Sequence, residues 1–316
     1  MLPPILARWS ILVASALLLA VMIGCGRGSP GANAVGGAFV VLETYPQNNG
    51  RIFLNENVYL RFSNPVDLST ANFNSVAFLV RDSGGNPLSE SVVGTFRHGV
   101  NESGETDRHV LEFVPRLPTS EAYADGGFRA GRQYVVSLVA SSSDAAPTIR
   151  DQDGRPLSKK SEVRSIAFRT ASGSTPQEIF RDPVVGGPRV VSVDAAPMFG
   201  ERLSLNEIGG IPVEIAVRFD QALDPASDNV PTRQSIDPTM DSLRRRGRIY
   251  LEYDDPELGK ERWIRASIAM PINSLSEAVV VLRPDGVLPN NADVRLVVES
   301  ELRDIAGESN VVVPRY

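Results

Sequence analysis

With 316 residues, 42% of them hydrophobic and 22% charged, the chain is too long for one ordinary domain and has a globular composition, so two domains of about 130 residues each are predicted. Its 26 Gly and 23 Pro are many for a helical protein and suit short strands joined by turns. A net charge of −6 argues against nucleic acid or anionic membrane faces as main partners, because like charges repel.

The chain opens on a short leader containing Arg8, followed by the apolar run Ile11 to Gly24, ILVASALLLAVMIG. That run is shorter than the roughly 20 residues a membrane-crossing helix needs, and it suits the apolar segment of an export signal. Residues 1–24 therefore read as a signal peptide. Met22-Ile23-Gly24-Cys25 resembles the lipobox of bacterial lipoproteins, with Met22 standing where that family usually has Leu. The resemblance implies cleavage before Cys25, diacylation of its sulfur and acylation of the new N-terminus. The lipid bilayer is then a partner, since several acyl chains at about 0.8 kcal/mol per buried CH₂ make anchoring persistent. Cys25 is the only cysteine, so no disulfide forms within the chain and the fold must rest on core burial. Removal of Arg8 with the leader takes the net charge from −6 to −7. Gly26 follows where some enteric lipoproteins carry an inner-membrane retention Asp, which favours the outer membrane over the inner.

Residues 25–37 form a tether: GRGSPGANAVGG (26–37) holds nothing that could pack, and its reach is roughly 20 Å. From Phe39 onward the pattern changes to short alternating runs. Val58, Leu60 and Phe62 fall on one face of NVYLRFS, and Val213, Ile215, Val217 and Phe219 alternate likewise in VEIAVRF, which predicts half-buried strands. Further strands are predicted at Val76–Val80, Val92–Phe96, Val110–Phe113, Tyr134–Val139 and Ile166–Arg169, with no amphipathic helix of useful length.

The two halves repeat each other. YLRFSNPVDLST (59–70) matches AVRFDQALDPAS (216–227), HVLEFVPRLP (109–118) matches AVVVLRPDGVLP (278–289), and IRDQDG (149–154) matches LRDIAG (302–307), in the same order. Copy one carries an insertion around SSSDAAP (141–147), which belongs in a loop. The boundaries are domain 1 at 38–172, linker at 173–187 and domain 2 at 188–316. The turn TYPQNN (44–49), the Arg-Phe strand with its following Asp, EFVP, GRQYVVSL, the D-x-x-G turn and AFRT together resemble the SbsA-type bacterial Ig-like domain. The resemblance spans nearly all of 38–171 and, less completely, 188–316, where VVVPRY replaces a clear closing strand. It implies an all-β fold class: two tandem immunoglobulin-like β-sandwiches of the kind used in envelope proteins as spacer, adhesive or accessory modules.

Asp67 and Asp224 follow Phe62 and Phe219 and are read as turn makers. Asp151 and Asp304 begin tight turns closed by Gly154 and Gly307, which call for positive φ. A calcium reading of DQDG lacks the EF-hand D-x-D-x-D-G pattern with its distal Glu, so a bare Asx-type turn is expected and no metal is assigned. His98 and His109, the only histidines, flank the polar loop GVNESGETDR and are read as solvated. No G-x-S-x-G elbow accompanies them, and no catalytic residue or cofactor is assigned.

Two stretches are candidates for recognition. Arg244-Arg245-Arg246 with Arg248 forms a basic patch suited to phosphate-bearing polymers, against the plainer reading of a solvated loop. If Arg248–Tyr253 and Arg262–Ile268 pair as a hairpin, Ile249 and Leu251 point inward with Ile264 and Ala266. Tyr250, Glu252, Trp263 and Arg265 then lie on the opposite face. Tyr250, Trp263 and Arg265 could stack a sugar ring, against the plainer reading of a cross-strand cluster. The functional expectation is a membrane-anchored envelope lipoprotein acting as a non-catalytic spacer or adhesion module for envelope proteins or glycans; the alternative is a glycan-binding module using that aromatic and Arg face.

Overall fold

The computed structural model describes residues 37–140, 147–196, 213–235, 239, 242–257, 259–285 and 292–310. Cys25, the leader, most of the tether, the SSSDAA stretch and the closing VVVPRY lie outside the described residues. Among the described residues no helix is long and apolar enough to cross a membrane.

The fold is all-β. In the first sandwich one sheet contains β1 (Val41–Tyr45), β3 (Val58–Phe62), β7 (Thr106–Pro115) and β6 (Gly94–Val100), in the order β1-β3-β7-β6. The facing sheet runs β2-β9-β8-β4-β5, from β2 (Gly50–Ile52), β9 (Ser165–Thr170), β8 (Gln133–Leu138), β4 (Val76–Arg81) and β5 (Pro87–Leu88). The pairing is antiparallel except between β2 and β9. Read as strands A to G, the sheets are ABED and CFG with short edge additions, the immunoglobulin arrangement.

Alternation delivers the core. Val58, Leu60 and Phe62 are buried while Tyr59 and Arg61 stand half-exposed on the other face. Phe39 stacks on Phe62 at 4.9 Å, and Tyr134 stacks on Phe168 at 5.4 Å with the ring of Phe128 edge-on to both. The buried Tyr134 hydroxyl accepts from the Arg129 N–H at 2.8 Å, so its polar end is satisfied within the core.

The second sandwich repeats the plan. β10 (Val190–Ala196), β11 (Glu214–Phe219), β15 (Glu277–Pro284) and β14 (Ala266–Ser274) form a sheet in the order β10-β11-β15-β14, opposite β13-β12-β16, built from β13 (Gly259–Ile264), β12 (Ile249–Asp255) and β16 (Arg295–Val298). Even an irregularity is repeated: β1 slips register just after Val41 pairs Phe62, and β10 slips just after Val190 pairs Phe219. Each bulge bends its entry strand at the position where a Phe enters the core.

Three expectations need correction. Arg262–Ile268 is not one strand: Ile264 pairs Leu251 in one sheet while Ala266 pairs Pro284 in the other, so Arg265 is the crossing point between sheets. A period-two pattern continues through such a crossing because both strands point their apolar side chains into the same core. The Arg-rich stretch is a helical turn (Ser242–Arg246) rather than a loop. The predicted linker is partly integral to the first sandwich, for a second short helix (Pro176–Ile179) leads into Ile179 and Phe180, both buried in that sandwich's core. Asn55 exchanges two hydrogen bonds with the Arg181 backbone, at 2.6 and 2.9 Å. Val184 and Val185, in contrast, remain exposed.

Candidate functional site

The predicted recognition face does not present the three side chains together. Tyr250 is buried, 6% exposed, beneath the Arg246 guanidinium, whose carbon lies 4.1 Å from the ring centre. Glu299 holds Arg246 there at 2.6 Å and also takes Arg248 at 3.2 Å. A guanidinium pinned by a carboxylate finds the ring face a favourable neighbour, so the helical turn folds over Tyr250 and removes it from solvent. Arg265 pairs with Asp285 at 3.0 Å. Trp263 is half-exposed and lies opposite Glu252, which is bound to Arg295 at 3.1 Å. The basic patch is likewise engaged at Arg246 and Arg248.

The histidines are strand residues rather than loop residues, and both are half-buried. His98 lies in β6, and His109 in β7 contacts the Phe62 carbonyl through Nδ1 at 3.4 Å. The nearby carboxylates are bound to arginines rather than to the imidazoles: Glu112 to Arg97 at 2.6 Å, and Asp107 to Arg61 at 2.9 Å, with Asp107 Oδ1 also accepting the His109 backbone N–H at 3.0 Å.

A polar network lies between the sandwiches. Tyr123, in the irregular stretch after β7, packs edge-on against Phe180 at 5.5 Å and donates its hydroxyl to Asp224 Oδ1 at 2.8 Å. Asp224 has no exposed surface. Its Oδ1 also accepts from the Ala226 N–H at 3.1 Å, and its Oδ2 accepts from Arg303 at 3.2 Å. Arg303 extends to Asp228 at 2.6 Å. Burial raises the Asp224 pKa, against the opposing pull of the Tyr123 hydroxyl and Arg303. Burial and the Asp224 charge also push the Tyr123 phenol well above its usual range. Asn273 adds a second crossing: its amide donates to the Pro118 and Leu223 carbonyls at 2.7 and 3.0 Å, and its Oδ1 accepts from the Leu223 N–H at 2.9 Å. Ala222 and Ile305 complete the joint by entering the core cluster of the first sandwich. The sequence pattern marks Asp224 only as a turn maker.

The repeated turns behave as predicted in the backbone, with φ of +81° at Gly154 and +86° at Gly307. Asp151 N–H donates to the Arg155 carbonyl at 3.0 Å, and Asp304 N–H donates to the Glu308 carbonyl at 2.9 Å. Their carboxylates differ. Asp151 is fully used: Oδ1 accepts from the Asp153 and Arg155 N–H groups, and Oδ2 from Arg155 Nε at 2.7 Å and Asn64 Nδ2 at 2.9 Å. Asp304 Oδ1 accepts from the Ala306 and Glu308 N–H groups at 3.0 and 2.7 Å, but its buried Oδ2 has no partner. Burial first, then the nearby Asp182 and Glu308 charges, push Asp304 up to about 7. Donor oxygens of Asp182, Asp304 and Glu308 all lie within 4.8 Å of one another. The cluster is not legible in the sequence because Asp182 lies in the linker, far along the chain from Asp304 and Glu308, although the repeat carries Glu308 where the first copy has Arg155.

No family model matches the chain, and no curated protein matches it.

Proposed function

We propose that the chain is a membrane-anchored envelope lipoprotein whose two sandwiches act together as a non-catalytic spacer or interaction module. The observation that carries this reading is the joint between the sandwiches. The Tyr123–Asp224 and Asn273–Pro118 hydrogen bonds cross between them, Arg303 holds the buried Asp224 from within the second sandwich, and Phe180 and Ile305 pack apolar surface beneath. A buried, satisfied polar network specifies one geometry, because any other arrangement leaves its groups unpaired. A body with a defined joint suits holding a partner at a set distance from a surface better than a freely hinged chain does.

The anchor belongs to the same proposal and rests on sequence. The apolar run Ile11 to Gly24 meets the chain's single Cys at residue 25, the position where a diacylated cysteine would follow an export signal. Residues 26–37 would then place the first sandwich roughly 20 Å from the bilayer. Fatty-acid labelling of the native protein and of Cys25→Ser, followed by envelope fractionation, tests it. Label and membrane association in the native protein, and loss of both in the variant, are expected. Retained label in the variant would overturn the anchor.

A further inference from the structure

Arg155 and Glu308 occupy the same position in the two copies of the Asp-x-x-Gly turn. The isolated bridges fix the correspondence: Val66 pairs Asp151 and Arg150 pairs Pro156 in the first copy, as Leu223 pairs Asp304 and Arg303 pairs Ser309 in the second. In the first copy the buried Asp151 carboxylate is neutralised by the Arg155 guanidinium and receives the Asn64 amide. In the second, the cation is replaced by the Glu308 carboxylate. Gln221, which replaces Asn64, turns its amide nitrogen to the Gly186 carbonyl at 2.9 Å, and its buried Oε1 has no partner. Asp182 from the linker adds a third carboxylate. The second copy has thus lost its internal cation and gained two negative charges around a fully buried Asp304 whose Oδ2 is unpaired. A buried carboxylate among like charges costs several kcal/mol unless something positive joins it.

The geometry points to a divalent cation site of the calcium type formed by Asp182, Asp304 and Glu308, in which the ion takes the place that Arg155 fills in the first sandwich. All three donors are carboxylate oxygens, the ligands of a hard cation rather than of zinc or copper. Their mutual spacing, within 4.8 Å, is what ligands at about 2.3 to 2.6 Å from one ion allow. Asp304 is buried, Glu308 half-buried and Asp182 exposed, so one side of the site is open to water, which would complete the shell. The loops are braced for this. Gly186 N–H donates to Glu308 Oε2 at 2.6 Å and Val184 N–H to Asp182 Oδ1 at 3.0 Å. Because Asp182 belongs to the linker and the other two ligands to the last described turn of the second sandwich, the ion staples linker to domain.

The test uses the full chain in zwitterionic detergent micelles, titrated with calcium chloride by calorimetry and followed by thermal unfolding. Expected are one site with Kd of about 10⁻⁴ to 10⁻³ M and a Tm raised by a few degrees at about ten times that concentration. Asp182→Asn weakens binding at least about tenfold, the loss of one charged ligand. Glu308→Arg, which rebuilds the first sandwich's ion pair, abolishes the calcium response; Glu308→Gln does the same should the Arg variant fail to fold. Asp153→Asn, at the matching turn of the first sandwich, leaves binding unchanged. The assignment is overturned by the absence of a calcium response in the native chain, by an unaltered response in Asp182→Asn or the Glu308 variants, by its loss in Asp153→Asn, or by an equal response to magnesium chloride.

Discussion

The Tyr123 hydroxyl of the first sandwich donates to Asp224 Oδ1 of the second at 2.8 Å, and the Asp224 carboxylate is in turn held by Arg303 at 3.2 Å. A phenol buried in a core needs a hydrogen-bond partner for its oxygen. Here the ring packs on Phe180 while the oxygen completes a buried carboxylate, so one side chain joins the apolar and polar parts of the joint.

Tyr123→Phe keeps the ring and removes that hydrogen bond. Asp224 retains Arg303 and the Ala226 N–H, so the cost is that of one bond to a buried charged acceptor, about 2 kcal/mol. A lower urea midpoint with an unchanged slope is the expected result; a midpoint equal to the native protein's would remove the bond's assigned weight.

Arg303→Met is predicted to be costlier. Arg303 bridges Asp224 and Asp228, and its loss leaves a fully buried carboxylate without a counter-charge. About 3 to 5 kcal/mol is typical for breaking such a pair. Asp224→Asn combined with Arg303→Met should recover part of that loss, which denaturation of the single and double variants measures.

The acid limb of stability has a distinct source at Glu90, bound by Arg132 through contacts of 2.8 to 3.2 Å. The hydrogen bond from Arg132 holds the Glu90 carboxyl below its ordinary value, against an opposing effect of burial. A carboxyl with a depressed folded-state pKa stabilises the fold above its unfolded pKa of 4.5. That contribution is lost as pH falls from there through the folded-state value. For a pair this close to the surface the amount is under about 1 kcal/mol. Glu90→Gln should therefore flatten the pH dependence below about pH 5 while costing little stability under acid conditions. An unchanged acid limb would contradict the assignment.

Phe62→Ala and Phe219→Ala test whether the two cores unfold together. Both rings are fully buried at equivalent places in the two sandwiches, and each truncation should cost about 3 to 5 kcal/mol. A coupled joint predicts one cooperative transition that either substitution shifts to lower temperature. Two separated transitions, each moved by one substitution alone, would mean that the sandwiches unfold independently.

Much of this architecture could be read along the chain. The alternation of Val58, Leu60 and Phe62 and of Ile215, Val217 and Phe219 placed their strands, and the Asp151 and Asp304 turns needed their glycines at positive φ. What escaped reading depends on contacts between segments far apart. Tyr250 fits an outward position in the pleat, but nothing local shows that Arg246 closes over it. Trp263 and Ala266 lie on what reads as one strand, yet the chain changes sheets at Arg265. Tyr123 lies in an irregular stretch with no periodicity to interpret, 101 residues from its partner Asp224. The acidic cluster is subtler: Glu308 in place of Arg155 was visible in the repeat, but its meaning depends on the linker bringing Asp182 beside it.

The central claim, that the joint holds the sandwiches as one body, is tested most directly by a distance measurement between spin labels. Val100→Cys in the first sandwich and Lys260→Cys in the second place labels at exposed sites, in a Cys25→Ser background that removes the only other cysteine. Pulsed electron paramagnetic resonance should give one narrow distance distribution that broadens in a Tyr123→Phe, Asn273→Ala double variant. A broad distribution in the parent chain, unchanged by the double variant, would contradict it.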